Sequence, residues 1–137
     1  MSTTTVVTGV IGSDCHVVGT TLLRYAFEKA GFKVVGLGAC VSQEEFINAA
    51  VETNAGAILV SSIYGHAPID CEGLRQKCQE AGLGKILLYV GGLLSTSEED
   101  WKDTESKFKA LGFDRVYPPS TLPAVAIADI RNDLALN

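Results

Sequence analysis

Histidine and basic charge are both scarce in this sequence, and each shortage removes a class of function. There are two histidines, His16 and His66, and 11 lysines and arginines against 16 acidic residues, for a formal net charge of -5. With an isoelectric point near 4.9, the chain lacks the basic surface that holds a nucleic-acid backbone, so no nucleic-acid partner is expected. The four cysteines, Cys15, Cys40, Cys71 and Cys78, have no CxxC spacing; neither a zinc knuckle nor a disulfide framework is indicated, and they read as reduced thiols. No apolar run approaches the ~20 residues of a membrane span. "MSTTTVVTGV" lacks the basic segment and cleavage site of a signal peptide. A cytoplasmic protein with no membrane contact is expected.

Nucleotide-binding motifs are missing as well. "GVIGSDCHVVG" does not fit GxGxxG, "GLGACV" fails at its last position, and GxxxxGK(S/T) does not occur. A phospho-accepting receiver domain would need an acidic pair after its first strand and an aspartate where Ser61-Ser62 stand. A flavodoxin would carry a hydroxyl-rich phosphate loop where His16 and Cys15 occur.

What is present is a regular alternation. Of 137 residues 47% are hydrophobic and 20% charged, the composition of an ordinary globular chain and a length that predicts one domain over 1–137. Strands are predicted at 4–11 (TTVVTGVI), 32–38 (FKVVGLG), 56–62 (GAILVSS), 85–90 (KILLYV) and 114–117 (DRVY). Between them, helical spacing of Val18, Leu22, Tyr25, Ala26 and Lys29 runs until Gly31. A capping box at Ser42-Gln43-Glu44-Glu45 opens a helix to about Asn54. A third helix spans about Asp70 to Ala81, where Cys71 and Cys78 share a packing face. A fourth ends near Leu111 with Glu98-Glu99-Asp100 on its positive end, and the last runs from Pro123 to Leu134. Gly91-Gly92 is read as a break after the fourth strand. Apolar strands alternating with amphipathic helices predict an α/β fold of the flavodoxin-like (Rossmann-like) type. Its five-stranded parallel sheet has order 2-1-3-4-5 and helices on both faces, with ligands bound at the carboxyl ends of the strands. Asp14 and His16, Ser61 and Ser62, and Gly91-Gly92 then converge on one crevice, which Tyr117-Pro118-Pro119 borders.

Asp-x-His suits metal ligation, because a carboxylate bonded to one ring N–H fixes the tautomer and frees the other nitrogen. One imidazole does not hold a free ion tightly, and His66 belongs to a different loop, so the metal should arrive in its own macrocycle, a haem or a corrin. Bland roles compete at each position: Asp14 as a helix cap, the serines satisfying strand-end backbone, the glycines forming a tight turn, His66 as a solvated loop residue.

The segment "DCHVVG" matches the Asp-x-His-x-x-Gly motif of base-off, histidine-on cobalamin-binding domains; Ser61-Ser62-Ile63 resembles their Ser-x-Leu element and Gly91-Gly92 their Gly-Gly element. With "IGSDCH", "ILVSSIYG", "IDCEGLRQKC" and "ILLYVGG", the whole chain resembles the small subunits of glutamate mutase, the component S family. The resemblance implies that His16 is the lower axial ligand of cobalt, that Asp14 orients it, and that Gly19 admits the cofactor's nucleotide tail beside the first helix. Ser13, Cys15 and Val17 flank these residues in the cofactor site. Ser61 would hydrogen-bond the benzimidazole nitrogen of the tail, with Ser62 beside it and Ile63, where the family usually has Leu, packed against it. Gly91 and Gly92 would leave the tail slot open, continued by Leu93, Leu94, Ser95, Thr96 and Ser97. The implied cofactor is adenosylcobalamin, and the implied partner is a larger TIM-barrel subunit, component E, with two copies of each chain. The implied reaction is the radical rearrangement of L-glutamate to (2S,3S)-3-methylaspartate. A methyl-carrying corrinoid protein of a methyltransferase system is the rival reading; such proteins generally carry a helical segment ahead of the motif, which here begins at residue 14. A plain flavodoxin-like binding module without cobalamin is a third.

Overall fold

The computed structural model describes residues 4–11, 18–62, 71–92, 101–118 and 121–134, apart from the side chains of residues 18–20 and 92. Strands and helices alternate: β1 (Thr5–Val10), α1 (Val18–Lys29), β2 (Lys33–Gly36), α2 (Gln43–Thr53), β3 (Ala57–Ser62), α3 (Leu74–Glu80), β4 (Leu87–Gly92), α4 (Trp101–Ala110), β5 (Arg115–Val116) and α5 (Pro123–Asp133). The strands form one sheet in the order β2-β1-β3-β4-β5, every pair parallel, as the alternation predicts.

The apolar strand sequences follow from burial on both faces. Every residue of β1 is buried. On one face Val7, Ile58, Val60, Leu88 and Val90 meet Phe46 and Ala50 of α2, Leu74 and Cys78 of α3, and Phe108 of α4. On the other, Val6, Leu59 and Tyr89 meet Phe27 of α1 and Ala126, Ile127 and Ile130 of α5. Each such large side chain contributes on the order of 1.5–3 kcal/mol by leaving water. Phe27 and Phe32 add an edge-to-face contact at 5.2 Å between ring centroids. The ends of α1 and α5 are joined by Arg131, which donates to the Ala30 carbonyl at 2.8 Å.

Local signals act where predicted at α2. Ser42 accepts from the Glu45 amide and Glu45 accepts from the Ser42 amide, so the capping box is complete, and Asn54 closes the helix in the left-handed conformation. Two expectations need correction. The helix predicted over 70–81 begins only at Leu74, because Gly73 takes φ of 81°, outside helical space. Cys71 therefore lies in the turn ahead of α3. It is buried, as is Cys78, so the packing role holds without the shared helix face. Gly91 and Gly92 do not break the chain; they are the last two residues of β4, in register with Ser61 and Ser62. Asp70 and the acidic run at 98–100 lie outside the described residues.

Candidate cofactor site

The register of the sheet sets out the site row by row. Thr8, Leu59 and Tyr89 are aligned across β1, β3 and β4, and Tyr89 is paired with Arg115 of β5. One pleat nearer the carboxyl edge, Val10, Ser61 and Gly91 are aligned in the same way. Side chains two residues apart share a face, so this second row lies on the face of Leu59 and Tyr89, the side covered by α1 and α5. Tyr117 ends the row: its amide donates to the Val90 carbonyl at 2.9 Å, and its Cβ stands 3.5 Å from where a Cβ of Gly91 would lie.

The lower row is filled with bulk. The upper row is large at its ends, Val10 and Tyr117, and small between them, at Ser61 and Gly91. Among the described residues this leaves a notch in the row, with Leu59 and Tyr89 one pleat below. Gly91 is not a glycine because of its backbone, since it sits in a strand and has no positive φ. Among the described residues a methyl group there would meet only ordinary van der Waals contact, so nothing among them requires glycine at 91, and the tight-turn reading of this pair fails. Ser61 is half-buried, and among the described residues its hydroxyl has no hydrogen-bond partner. Ser62, one residue on, points to the opposite face and is buried; the structure separates the two serines that sequence reasoning grouped.

The β5 side of the notch is braced by a polar network that the sequence did not reveal. The Tyr117 hydroxyl donates to Asp129 at 2.6 Å. Arg115 lies 3.4 Å from Asp129 and donates two 2.8 Å bonds to Asp133, which also accepts from the Tyr89 hydroxyl. The tyrosine rings meet edge to face at 5.8 Å. Burial, then the neighbouring carboxylates, push both tyrosine hydroxyls well above the ordinary phenol range, so both stay protonated donors. The Arg115 bonds hold the Asp133 carboxyl below its usual range, and Asp133 in turn raises Arg115. Asp129 and Asp133 are four apart on α5 and so share a stripe, the one signal by which they could have been found. Elsewhere, burial raises the Cys78 thiol, which keeps it inert.

Of the expected site residues, the structure brings Ser61 and Gly91 into one row, pairs Gly92 with Ser62 at the strand end, and places Gly19 in the first turn of α1. Ser13, Asp14, Cys15, His16 and Val17, Ile63, His66, and Leu93, Leu94, Ser95, Thr96 and Ser97 lie outside the described residues. In sequence, their three segments follow the ends of β1, β3 and β4, the strands that form the notch. Among the described residues no three His, Cys, Asp or Glu come together as a metal-holding group, and no helix is long and apolar enough to cross a membrane.

The residues present suit a flat, largely apolar group carrying one hydrogen-bonding atom: a hydroxyl with no partner among the described residues, a strand position with no side chain, and an aromatic wall held by Asp129. The B12 binding domain family model matches residues 4–126. A solved structure of a cobalamin-binding protein from Desulfitobacterium hafniense superposes with a TM-score of 0.77 over 96% of this chain at 19% identity, which establishes likeness of fold; the chain spans 59% of that structure's length. The glutamate mutase sigma subunit of Clostridium tetani is 58% identical over 134 residues, 98% of both chains. That of Clostridium cochlearium is equally similar over the same span. A match of this depth from end to end, on a fold whose strand ends carry the expected serine and glycine, shows that the chain belongs to the glutamate mutase sigma subunit family of B12-binding domains.

Proposed function

We propose that this chain is the cobalamin-carrying subunit of a glutamate mutase, a single cofactor-binding domain over 1–137. It presents adenosylcobalamin to a larger catalytic subunit for the rearrangement of L-glutamate to (2S,3S)-3-methylaspartate. The observation that supports it best is the notch: among the described residues the Ser61 hydroxyl has no hydrogen-bond partner and a methyl on Gly91 would meet only ordinary contacts, with Leu59 and Tyr89 one pleat below. The family relation supplies the reaction. The rival reading, a methyl-carrying corrinoid protein, is the weaker: the monomethylamine corrinoid protein of Methanosarcina barkeri shares the fold at 19% identity, against 58% for the glutamate mutase sigma subunits.

His16 would hold the cobalt of the bound cofactor, and Asp14 would orient its ring and fix the tautomer. Ser61 would donate to the nitrogen of the cofactor's base, Gly91 would keep the slot clear, and Gly19 would let α1 approach the tail; Gly92 is in register with Ser62, one residue on from the notch row. By the resemblance, Ser13, Cys15, Val17 and Ile63 would flank these contacts and Leu93 to Ser97 would continue the slot; Ser62, buried on the opposite face, is not among them. When bound, the cofactor supplies a weak cobalt–carbon bond whose homolysis begins the radical chemistry. This chain's own part is to bind, orient and bury the tail. Substrate belongs to the larger subunit, a TIM barrel assembled with this chain two to two, and the complex is placed in the cytoplasm.

Reconstitution tests the function. The purified protein, incubated with cobalamin and desalted, is expected to retain one coloured equivalent per chain; a colourless protein would overturn the assignment. A second expectation concerns Gly91→Ala. Its methyl has ordinary contacts, so the thermal midpoint should stay near that of wild type, a change within about 0.5 kcal/mol. Filling the notch should weaken cobalamin binding about tenfold, as overpacking of roughly 1–3 kcal/mol implies. Titration by visible absorption, with melting curves on the same samples, reads both; unchanged affinity would contradict the notch as the tail site.

A further inference from the structure

We infer that Tyr117 is a specificity-determining wall of the slot, a pre-set aromatic surface that favours a corrinoid whose tail ends in a planar base over one that lacks it. The inference rests on the proposed function and concerns a residue that no cobalamin motif contains. Tyr117 closes the Val10–Ser61–Gly91 row on the β5 side, and its Cβ and Cδ2 lie 3.5 and 3.9 Å from the position a Gly91 side chain would occupy. Between its ring and Ser61 the sheet therefore presents no side chain. Flat aromatic groups pair favourably at centroid separations of about 4.5–7 Å, and a base seated over Gly91 with its nitrogen toward Ser61 has Tyr117 as its lateral neighbour.

The ring is also held before any ligand arrives. Its hydroxyl is bonded to Asp129 at 2.6 Å and its edge-to-face partner Tyr89 is bonded to Asp133. Arg115 spans both carboxylates. Both acids belong to α5, the helix that covers this face, so one network fixes the wall and the helix together. A side chain already fixed loses little further freedom on binding, and that is where preorganisation gains affinity. Asp129 is thus a positioning residue that acts through Tyr117.

The test compares two probes, cobalamin and cobinamide, the latter a corrinoid without the nucleotide tail. Wild-type protein, Tyr117→Phe, Tyr117→Leu and Asp129→Asn are titrated with each by visible absorption. Tyr117→Leu should bind cobalamin about fivefold to tenfold more weakly while its cobinamide affinity stays within about twofold of wild type. Tyr117→Phe, which keeps the ring, should retain most of the preference for cobalamin. Asp129→Asn should reduce that preference by a smaller factor. Parallel loss of both probes in Tyr117→Leu would mean a merely structural role, and unchanged cobalamin affinity would mean none; either overturns the inference. If Tyr117→Leu does not fold, the Asp129→Asn ratio decides, an unchanged ratio counting against it. Wild-type protein that binds neither corrinoid would sink the functional assignment itself, a result distinct from a variant that keeps the wild-type ratio.

Discussion

His16→Ala is expected to cost more cobalamin affinity than any other single change in the chain. A carboxylate that only orients a ligating histidine is worth roughly 10- to 100-fold in metal affinity, and removing the donor nitrogen itself should exceed that range. With two histidines in the whole sequence, no nearby imidazole is available as a substitute by sequence position. The segment that carries His16 follows β1 in sequence, and Val10 at the end of β1 is paired with Ser61. Cys15→Ala, one position away, should stay within about threefold of wild type, since a thiol-to-methyl change there removes no assigned ligand. Equilibrium dialysis of both variants checks this: equal losses would indicate a general disturbance of the loop, and wild-type affinity in His16→Ala would remove His16 from cobalt.

The second large effect falls on stability, far from the cofactor. Gly112 has φ of 104°, and a Cβ there would lie 2.5 Å from Cβ and 2.9 Å from Cγ of Arg75. Gly112→Ala therefore forces a left-handed backbone on an L-residue, about 1–2 kcal/mol, and pushes Arg75 from its place. Arg75 donates to the Gly112 and Ile86 carbonyls at 3.0 and 2.8 Å and to Asp114 at 2.7 Å, tying the end of α4 to the strands beside it. Losing these bonds adds about 1–3 kcal/mol. The sum, about 2–5 kcal/mol, is a large share of the ~5–15 kcal/mol that stabilises an ordinary domain. Urea unfolding should show a midpoint lowered accordingly. Gly84→Ala, where a Cβ meets nothing within 4 Å and φ is not positive, serves as the control and should be neutral or slightly stabilising. Similar midpoints for the two variants would contradict the packing described around Arg75.

Strand order and helix placement were legible in the sequence because burial on both faces forces uninterrupted apolar strands, and such strands joined by helices have few parallel arrangements. The errors have local causes. Cys71 and Cys78 are seven apart, which matches two helical turns, yet the first is delivered to the core by a turn that ends at Gly73. Periodicity does not distinguish a helix from a turn that packs in step with one. Gly91-Gly92 reads as a break because glycine usually punctuates; inside a strand it instead marks a close approach, and only the pairing with Ser61 and Ser62 reveals which applies. Ser61 and Ser62 are adjacent in sequence and opposite in space, as alternation along any strand requires. The Tyr89, Arg115, Tyr117, Asp129 and Asp133 network was invisible because its hydrogen bonds join residues 12 to 44 positions apart, and each acid taken alone resembles an ordinary surface residue of α5.

In the proposed function, one imidazole of this chain, that of His16, would hold cobalt while the cofactor's own base would lie in the notch. Electron paramagnetic resonance of the cob(II)alamin complex, prepared with nitrogen-15 histidine in the protein, addresses it directly. The predicted result is a nitrogen splitting that changes with the isotope and disappears in His16→Ala. A splitting indifferent to the label would leave the cofactor's base on the metal and contradict the claim.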